Sequence, residues 1–173
     1  AGHYETAKQP DKAIPLYREF PDDPGARERL GALLIESGNA TDAIPELEKS
    51  YQQSPTNANR LALATAYLRS KQLPKAVPLL EQAVAAEPDN FQLRMYYGRA
   101  QRDTRNYQAA AREFFRAAQL KPDSREAWNE LAGMLYLLEN YPQALAAFDK
   151  AHSLSTGENP AYWYFRAIIL DRM

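Results

Sequence analysis

The sequence repeats itself at an interval of 33 to 34 residues over most of its length. The marker of each copy is an alanine followed four residues later by a large apolar residue. The markers are Ala43 with Leu47, Ala76 with Leu80, Ala110 with Phe114, and Ala144 with Phe148, and their alanines lie 33, 34 and 34 residues apart. A fixed period of this length indicates stacked modules, each of which buries its apolar face against its neighbours rather than in one central core.

Each copy has the pattern of two helices joined by a short break. The clearest copy begins with Trp128 and Leu131 and continues with apolar residues every three or four positions, which places them on one face of a helix. Asp123 or Ser124 offers a side-chain oxygen as the N-cap, so a helix is predicted from about Ser124 to Leu138. The Asn-Tyr-Pro segment that follows ends this helix and starts the second one.

Two positions of the period hold only small residues. One is the marker alanine, and the other is occupied by Gly31, Ala64, Gly98 and Ala132. A methyl group or less at both positions lets the two helix backbones approach closely, while the large apolar marker residue fills the space one turn later.

These positions resemble the tetratricopeptide repeat, whose pattern is a large residue, Leu, a small residue, Tyr or Leu, an Ala, an aromatic residue and a closing Pro. The resemblance covers nearly the whole chain, and the matching first helices carry Arg27, Arg60, Arg94 and Trp128 at the large position. It implies an all-α fold, a right-handed α-solenoid of stacked antiparallel helix pairs with about four full repeats and partial end repeats. The implied repeats are residues 24–56, 57–90, 91–124 and 125–159, with a partial repeat 1–23 and an incomplete repeat 160–173, all in a single domain 1–173.

Three prolines occupy one position of the period. Pro15, Pro45 and Pro78 each stand two residues after an alanine, and in the last two this is the marker alanine. A proline there removes a backbone hydrogen bond, so we expect these second helices to begin late or to be slightly kinked, with an irregular first turn.

The composition argues against several classes of partner. The 21 basic and 22 acidic side chains give a net charge of −1, which supplies no broad field for nucleic acid or anionic lipid. No apolar run approaches the ~18 residues of a spanning helix, so direct membrane insertion is not expected. The absence of cysteine excludes disulfides and cysteine-bound metal, yet it fits both a bacterial cytoplasm and a periplasm. The compartment therefore stays open.

The sequence has no pattern typical of a catalytic site. Its two histidines, His3 and His152, have no metal-ligand spacing to another ligand, and both are expected to be solvated. No phosphate-binding glycine loop and no nucleophile elbow are present among its seven glycines. We therefore predict no catalytic residue, no metal and no cofactor, and we predict that the chain is not an enzyme.

The resemblance implies that the first helix of each repeat lines a concave groove that binds a protein or peptide ligand. The inward positions of the family fall here on apolar, aromatic and arginine residues. The predicted peptide-binding residues are Leu61, Arg69, Met95, Tyr96, Arg99, Arg102, Asn129, Tyr136 and Tyr164. Aromatic rings can anchor the apolar side chains of a peptide, and arginine can hold a carboxylate with two parallel hydrogen bonds. The alternative is that some of these side chains, such as Tyr96 and Tyr136, only pack against neighbouring helices.

One known mode of the family is not expected. Some members bind the C-terminal carboxylate of chaperones through Lys, Asn, Asn, Lys and Arg at fixed inward positions. The matching positions here hold Glu28, Ala32, Ala62, Gln92 and Tyr96, so that clamp is absent.

The leading hypothesis is a non-catalytic protein–protein interaction scaffold that binds a peptide or protein segment in its concave groove. A second hypothesis is that the chain is the substrate-recruiting repeat region of a larger protein, including an enzyme. A third is self-association as a homo-oligomer through residues 163–173, which begin a further repeat without its second helix. A helical RNA-binding repeat is disfavoured because the chain lacks a basic inner surface.

Overall fold

The computed structural model describes residues 1–6, 9–155, 157 and 160–173. In this part of the chain there are eleven α-helices and no β-strand. The helices are α1 (Gly2–Thr6), α2 (Pro10–Arg18), α3 (Pro24–Glu36), α4 (Ala40–Gln53), α5 (Asn57–Arg69), α6 (Leu73–Ala86), α7 (Phe91–Asp103), α8 (Tyr107–Leu120), α9 (Arg125–Leu137), α10 (Tyr141–Ser153) and α11 (Pro160–Arg172). The predicted all-α fold class of paired helices is confirmed.

The helices form two compact units, residues 1–86 and residues 87–173. Unit 1 contains α1 to α6 and unit 2 contains α7 to α11, and within each unit every helix packs on the next one along the chain. The pairs α3 with α4, α5 with α6, α7 with α8 and α9 with α10 each lie within one of the predicted full repeats.

The first helix of each pair begins at a polar N-cap. Asp23, Thr56, Asn90 and Ser124 each accept a hydrogen bond from the backbone N–H three residues later. These side chains satisfy N–H groups that a helix start leaves without a partner. Ser124 is the cap of α9, so the helix predicted from about Ser124 to Leu138 begins and ends within one residue of that range.

The turn inside each pair contains one left-handed residue, at Gly38, Lys71, Arg105 or Glu139, with φ between 60° and 86°. The N–H of the next residue then donates to the carbonyl five residues earlier, at 2.8 to 2.9 Å. This bond closes the end of α3, α5, α7 and α9 in the same way. Only the first of the four turns uses glycine, so glycine could not mark the other three in the sequence.

The prediction for the three prolines is wrong about where the helices begin. Each of α2, α4, α6, α8 and α10 begins three residues before its small anchor alanine, whether or not the proline is present. Pro15, Pro45 and Pro78 lie inside their helices. The irregular first turn does occur in these three helices. In each one the backbone N–H of the third helical residue donates a hydrogen bond of 3.0 to 3.2 Å to the carbonyl three residues earlier, as in a 3₁₀ turn.

The small positions bring the paired helices together as predicted. The Phe114 side chain is fully buried and packs on Gly98, where an added Cβ would lie 2.6 Å from its Cε1. Leu47 packs on Gly31 in the same way, where an added Cβ would lie 2.6 Å from its Cδ2. Each unit has its own apolar cluster built around such contacts.

Candidate functional site

The first helices of unit 2, α7, α9 and α11, carry most of the predicted binding residues. We call the surface formed by Tyr96, Arg99, Arg102, Glu126, Asn129, Glu130, Tyr136 and Tyr164 the inner face. Its centre is a network of ion pairs between α7 and α9. Arg99 contacts both Glu126 and Glu130, with 3.3 Å between its Nε and the Glu130 Oε1. Arg102 contacts the other oxygen of Glu130 at 2.8 Å and Asp103 at 3.0 Å.

This network occupies the arginines that the sequence offered to a ligand carboxylate. Partial burial lowers the pKa of the Arg102 guanidinium, but hydrogen bonds and charge from Asp103 and Glu130 outweigh it, and the pKa is raised overall. Both arginines are about one-third exposed, so each pair contributes modestly to stability. The pairing sets the chemistry of the surface, because two arginines face three carboxylates of the same chain.

The tyrosines of the inner face differ in how far they are free to bind. Tyr96 and Tyr164 are exposed, at 36% and 65% of their full area. Tyr136 is half-buried and lies edge-to-face with Tyr141, at 5.9 Å between ring centroids. Tyr164 lies edge-to-face with Phe165 at 5.6 Å. Tyr136 therefore packs partly within the unit, whereas Tyr96 and Tyr164 present ring area to solvent.

Met95 does not lie on the surface. Its side chain is only 1% exposed and belongs to the apolar cluster of unit 2, with Ala110 and Leu131. The expectation that Met95 contacts a ligand directly is corrected, because an unbranched apolar side chain at this position is covered by the neighbouring helices.

Asn129 lies between two cavities of the inner face. The first has a volume of ≈ 580 Å³ and is lined by polar groups of α9, Arg125, Glu126, Asn129 and Glu130. The second, of ≈ 260 Å³, is formed with aromatic groups of α10 and α11, among them Phe148, His152 and Tyr162. Asn129 thus offers its amide at the boundary between a charged and an aromatic surface.

The aromatic cavity changes the assignment of His152. The sequence predicted a solvated histidine, but its ring is stacked on the ring of Tyr162. The ring centroids are 3.9 Å apart and the ring planes differ by 4°. Its Nδ1 is buried and has no hydrogen-bond partner among the described residues. Tyr162 donates its hydroxyl to Asp149 at 2.7 Å, and this hydrogen bond together with burial raises the tyrosine pKa. The histidine is half-buried because α11 covers α10 at this point.

Two predicted residues, Leu61 and Arg69, belong to α5 in unit 1. Leu61 is half-buried, and its carbonyl accepts a hydrogen bond from the Thr65 hydroxyl at 2.8 Å. Arg69 is exposed, but its guanidinium donates to the carbonyl of Ile35 at 2.6 Å, near the end of α3. Arg69 therefore joins α5 to α3 as well as presenting charge to solvent.

Sequence reasoning did not identify the partners of the arginines or the aromatic cavity. Glu126 and Glu130 occupy other inward positions in the repeat that follows the one carrying Arg99 and Arg102, so the repeat register was a signal that could have placed them near each other. The cavity had no comparable signal, since His152 and Phe148 come from the second helix of a repeat.

The described residues contain no helix that is both long and apolar enough to cross a membrane. They also contain no cluster of three or more histidine or acidic side chains arranged to hold a metal ion.

The comparisons with known proteins agree with this architecture. A model of the tetratricopeptide repeat matches residues 3–58, 61–125 and 116–162. The Vi polysaccharide export protein VexE of Salmonella typhi is 31% identical over 141 residues, which are 79% of this chain and 21% of that protein. The cellulose synthase 2 operon protein C of Komagataeibacter xylinus is 30% identical over 158 residues, 86% of this chain and 12% of that protein. The chain thus spans about a fifth or less of the length of these relatives.

Solved structures of MamA show the same fold. The AMB-1 protein superposes with a TM-score of 0.81 at 23% identity, covering 94% of this chain and 91% of that one. MamA of Desulfovibrio magneticus RS-1 superposes with a TM-score of 0.83 at 21% identity, covering 88% and 89%. With the repeat model matched along most of the sequence, the chain belongs to the tetratricopeptide repeat family.

Proposed function

We propose that this chain is a non-catalytic scaffold that binds a segment of another protein on the inner face of unit 2. The family fold implies a protein-interaction scaffold, and the finer assignment rests on the surface itself. Tyr96 and Tyr164 expose large aromatic area on the first helices, where an aromatic ring supplies contact area at a small entropic cost. This exposed aromatic area is the observation that carries the proposal.

The chemistry of the segment follows from the ion-pair network. Arg99 and Arg102 already face Glu126, Glu130 and Asp103, so a free carboxylate would have to displace an internal partner. A segment that binds through apolar or aromatic side chains and carries no free carboxylate does not have to displace these internal partners. Backbone amides of the segment can bond to Asn129, which is half-buried beside the aromatic cavity. We therefore assign apolar anchoring, rather than carboxylate binding, to this face.

A displayed library of random peptides, selected on the intact chain, tests this assignment. We expect the selected peptides to be rich in Leu, Phe and Trp, and Tyr96→Ala with Tyr164→Ala to weaken binding about ten-fold or more, since aromatic anchors dominate such interfaces. Phe20→Ala is the matched control, because Phe20 is an exposed aromatic residue of unit 1 at 59% of its area. If no selected peptide lost affinity in the double tyrosine variant, the inner face would not be the binding surface.

A second candidate function is favoured by the two relatives, both of which bear names from polysaccharide export or synthesis. In this proposal the repeats recruit a protein component within a longer polysaccharide-secretion protein. Deleting the repeat region from the gene should reduce secreted polysaccharide while its sugar precursors remain. Unchanged secretion would remove this candidate.

A further inference from the structure

Unit 2 has a second surface, on the side of α9 away from the inner face. A groove of ≈ 650 Å³ runs between α8 and α10, with α9 beneath it. Its floor consists of Ala111, Leu131 and Ala147, which are all buried. The α9 residues that line it, such as Leu131 and Leu135, fall on the opposite side of the helix from Asn129 and Glu130 at 3.6 residues per turn. We call this surface the outer groove.

The outer groove also exposes large apolar side chains. Phe115 on α8 is 45% exposed and Leu138 at the end of α9 is 41% exposed. Trp128 also lines the groove and is fixed there by a hydrogen bond from its indole N–H to the carbonyl of Pro122, at 3.0 Å. Large exposed apolar side chains beside an apolar floor are typical of a surface that another molecule covers.

The corresponding helices of unit 1 carry a different set of side chains. There the Tyr67 hydroxyl of α5 donates to Glu48 of α4, and the ammonium of Lys75 lies 5.1 Å from the centre of the Tyr67 ring. Burial and the hydrogen bond to Glu48 raise the pKa of Tyr67 to about 12. Tyr51 of α4 also reaches Gln82 of α6, with 3.4 Å between the hydroxyl and the amide oxygen. Unit 1 thus ties these three helices together with its own polar side chains.

Each of these ties loses at least one polar partner to an apolar residue in unit 2. In the repeat register, Phe115 stands where α4 has Glu48, and Leu135 stands where α5 has Tyr67. The position of Tyr51 is taken by Ala118 of α8, which has no hydroxyl to reach α10. The same fold therefore has a surface closed by polar contacts in one unit and an open apolar groove in the other.

The two charged residues that line the outer groove are both positive. Arg112 on α8 and Lys150 on α10 line it, and no acidic residue does. Neither cation forms a salt bridge within the described part of the chain. A partner with carboxylates beside its apolar anchors would therefore gain favourable charge interactions on both walls.

We propose that the outer groove binds an acidic amphipathic α-helix of a partner protein. The apolar face of that helix lies on Leu131 and the alanines of the floor, and its carboxylates face Arg112 and Lys150. A helix suits this place because the walls are themselves helices of 14 and 13 residues, about 20 Å long, which match the length of a short partner helix.

The test uses a displayed library of helical peptides of about 14 residues, matched to the length of the groove. Leucine is fixed at positions spaced by three and four, and the flanking positions are randomised among Glu, Gln and Lys. Selection on the intact chain is expected to enrich Glu at the flanking positions. A selected peptide should also change the emission of Trp128, measured in a Trp163→Phe variant in which it is the remaining tryptophan.

Phe115→Glu, Arg112→Glu and Lys150→Glu should each weaken the selected peptide about ten-fold or more. Glu at position 115 restores the residue type of unit 1, so the helix is expected to tolerate it, and circular dichroism checks this. Phe20→Glu, which alters an exposed phenylalanine of unit 1, should leave affinity unchanged, as should Tyr96→Ala with Tyr164→Ala on the inner face.

Three outcomes would overturn the proposal. The first is that every enriched peptide binds the Phe115→Glu variant as tightly as the unchanged chain. The second is that peptides with Lys at the flanking positions are enriched as strongly as peptides with Glu. The third is a dimer of the chain, seen by sedimentation, that Phe115→Glu dissociates, because the occupant would then be a second copy. Loss of inner-face binding in the tyrosine variants, with this groove still active, would separate the two surfaces.

Discussion

At the scale of single residues, the absence of a side chain at Gly98 sets how closely α7 approaches α8. The ring of Phe114 fills the space that a Cβ would need, and it is fully enclosed. In the neighbouring pair the same position holds Ala132, so the second helix there accommodates a methyl group. The small residue is thus fitted to the particular large residue that faces it.

We expect Gly98→Ala to be less stable than Gly133→Ala by about 1–3 kcal/mol, because the first methyl group must displace a buried ring while the second meets open space. Both changes gain about 1 kcal/mol of helix propensity, so this gain cancels in the comparison. An added Cβ at Gly133 meets no atom within 4 Å, which makes it the matched control. Urea unfolding measures both, and equal stability of the two variants would refute the packing argument.

At the scale of elements, the second helices begin at a constant position although their sequences differ. The start three residues before the anchor alanine is shared by helices with and without an internal proline. Pro45 and Pro78 are exposed, so their rings project into solvent and only one backbone hydrogen bond is lost in each helix. The internal proline therefore does not decide where these helices start, which agrees with a helix stabilised mainly by packing of the pair.

Pro45→Ala should stabilise the chain by up to about 3 kcal/mol, because it restores the missing hydrogen bond inside α4. Pro142→Ala is the control, since Pro142 lies at the second position of α10, where an N–H has no helical partner to lose. Thermal unfolding measures the difference, and hydrogen exchange should find a protected amide at residue 45. If Pro142→Ala stabilised the chain as much as Pro45→Ala, the missing bond would not be the cause.

The helix pairs could be predicted from the sequence because the repeat period, the capping residues and the small positions all mark the same boundaries. The predicted bounds of α9 illustrate this, since Ser124 caps its first turn and Leu138 follows its last turn. The fate of long side chains could not be predicted in the same way. A position on a helix face gives the direction of Met95 or Arg99, but only the neighbouring helices decide that one is covered and the other is paired with Glu130.

At the scale of the whole molecule, apolar side chains are gathered into one cluster in each unit rather than into a single centre. Within a unit each helix packs mainly against its neighbours, so a local change should spread through adjacent pairs and weaken with distance along the repeat. Such a chain is expected to open in parts as well as all at once.

Ala110→Leu places a larger side chain in the closed cluster of unit 2, where Ala110 has no exposed area, and should cost about 1–3 kcal/mol. In native-state hydrogen exchange we expect the protection of the α7 to α10 amides to fall by this amount, while the protection of the α3 and α4 amides falls less. An equal loss in all these helices would show that the chain unfolds as one cooperative body.

The self-neutralised arginines of the inner face affect how a partner would arrive there. The two arginines are paired with three carboxylates, so the network carries a net charge of only −1 and projects little field beyond the Debye length of about 8–10 Å. Association at such a surface proceeds by unsteered collision, at rates of roughly 10⁵–10⁶ M⁻¹s⁻¹, and changes little with ionic strength. Discrimination between partners then depends on shape complementarity and on the dissociation rate of the complex.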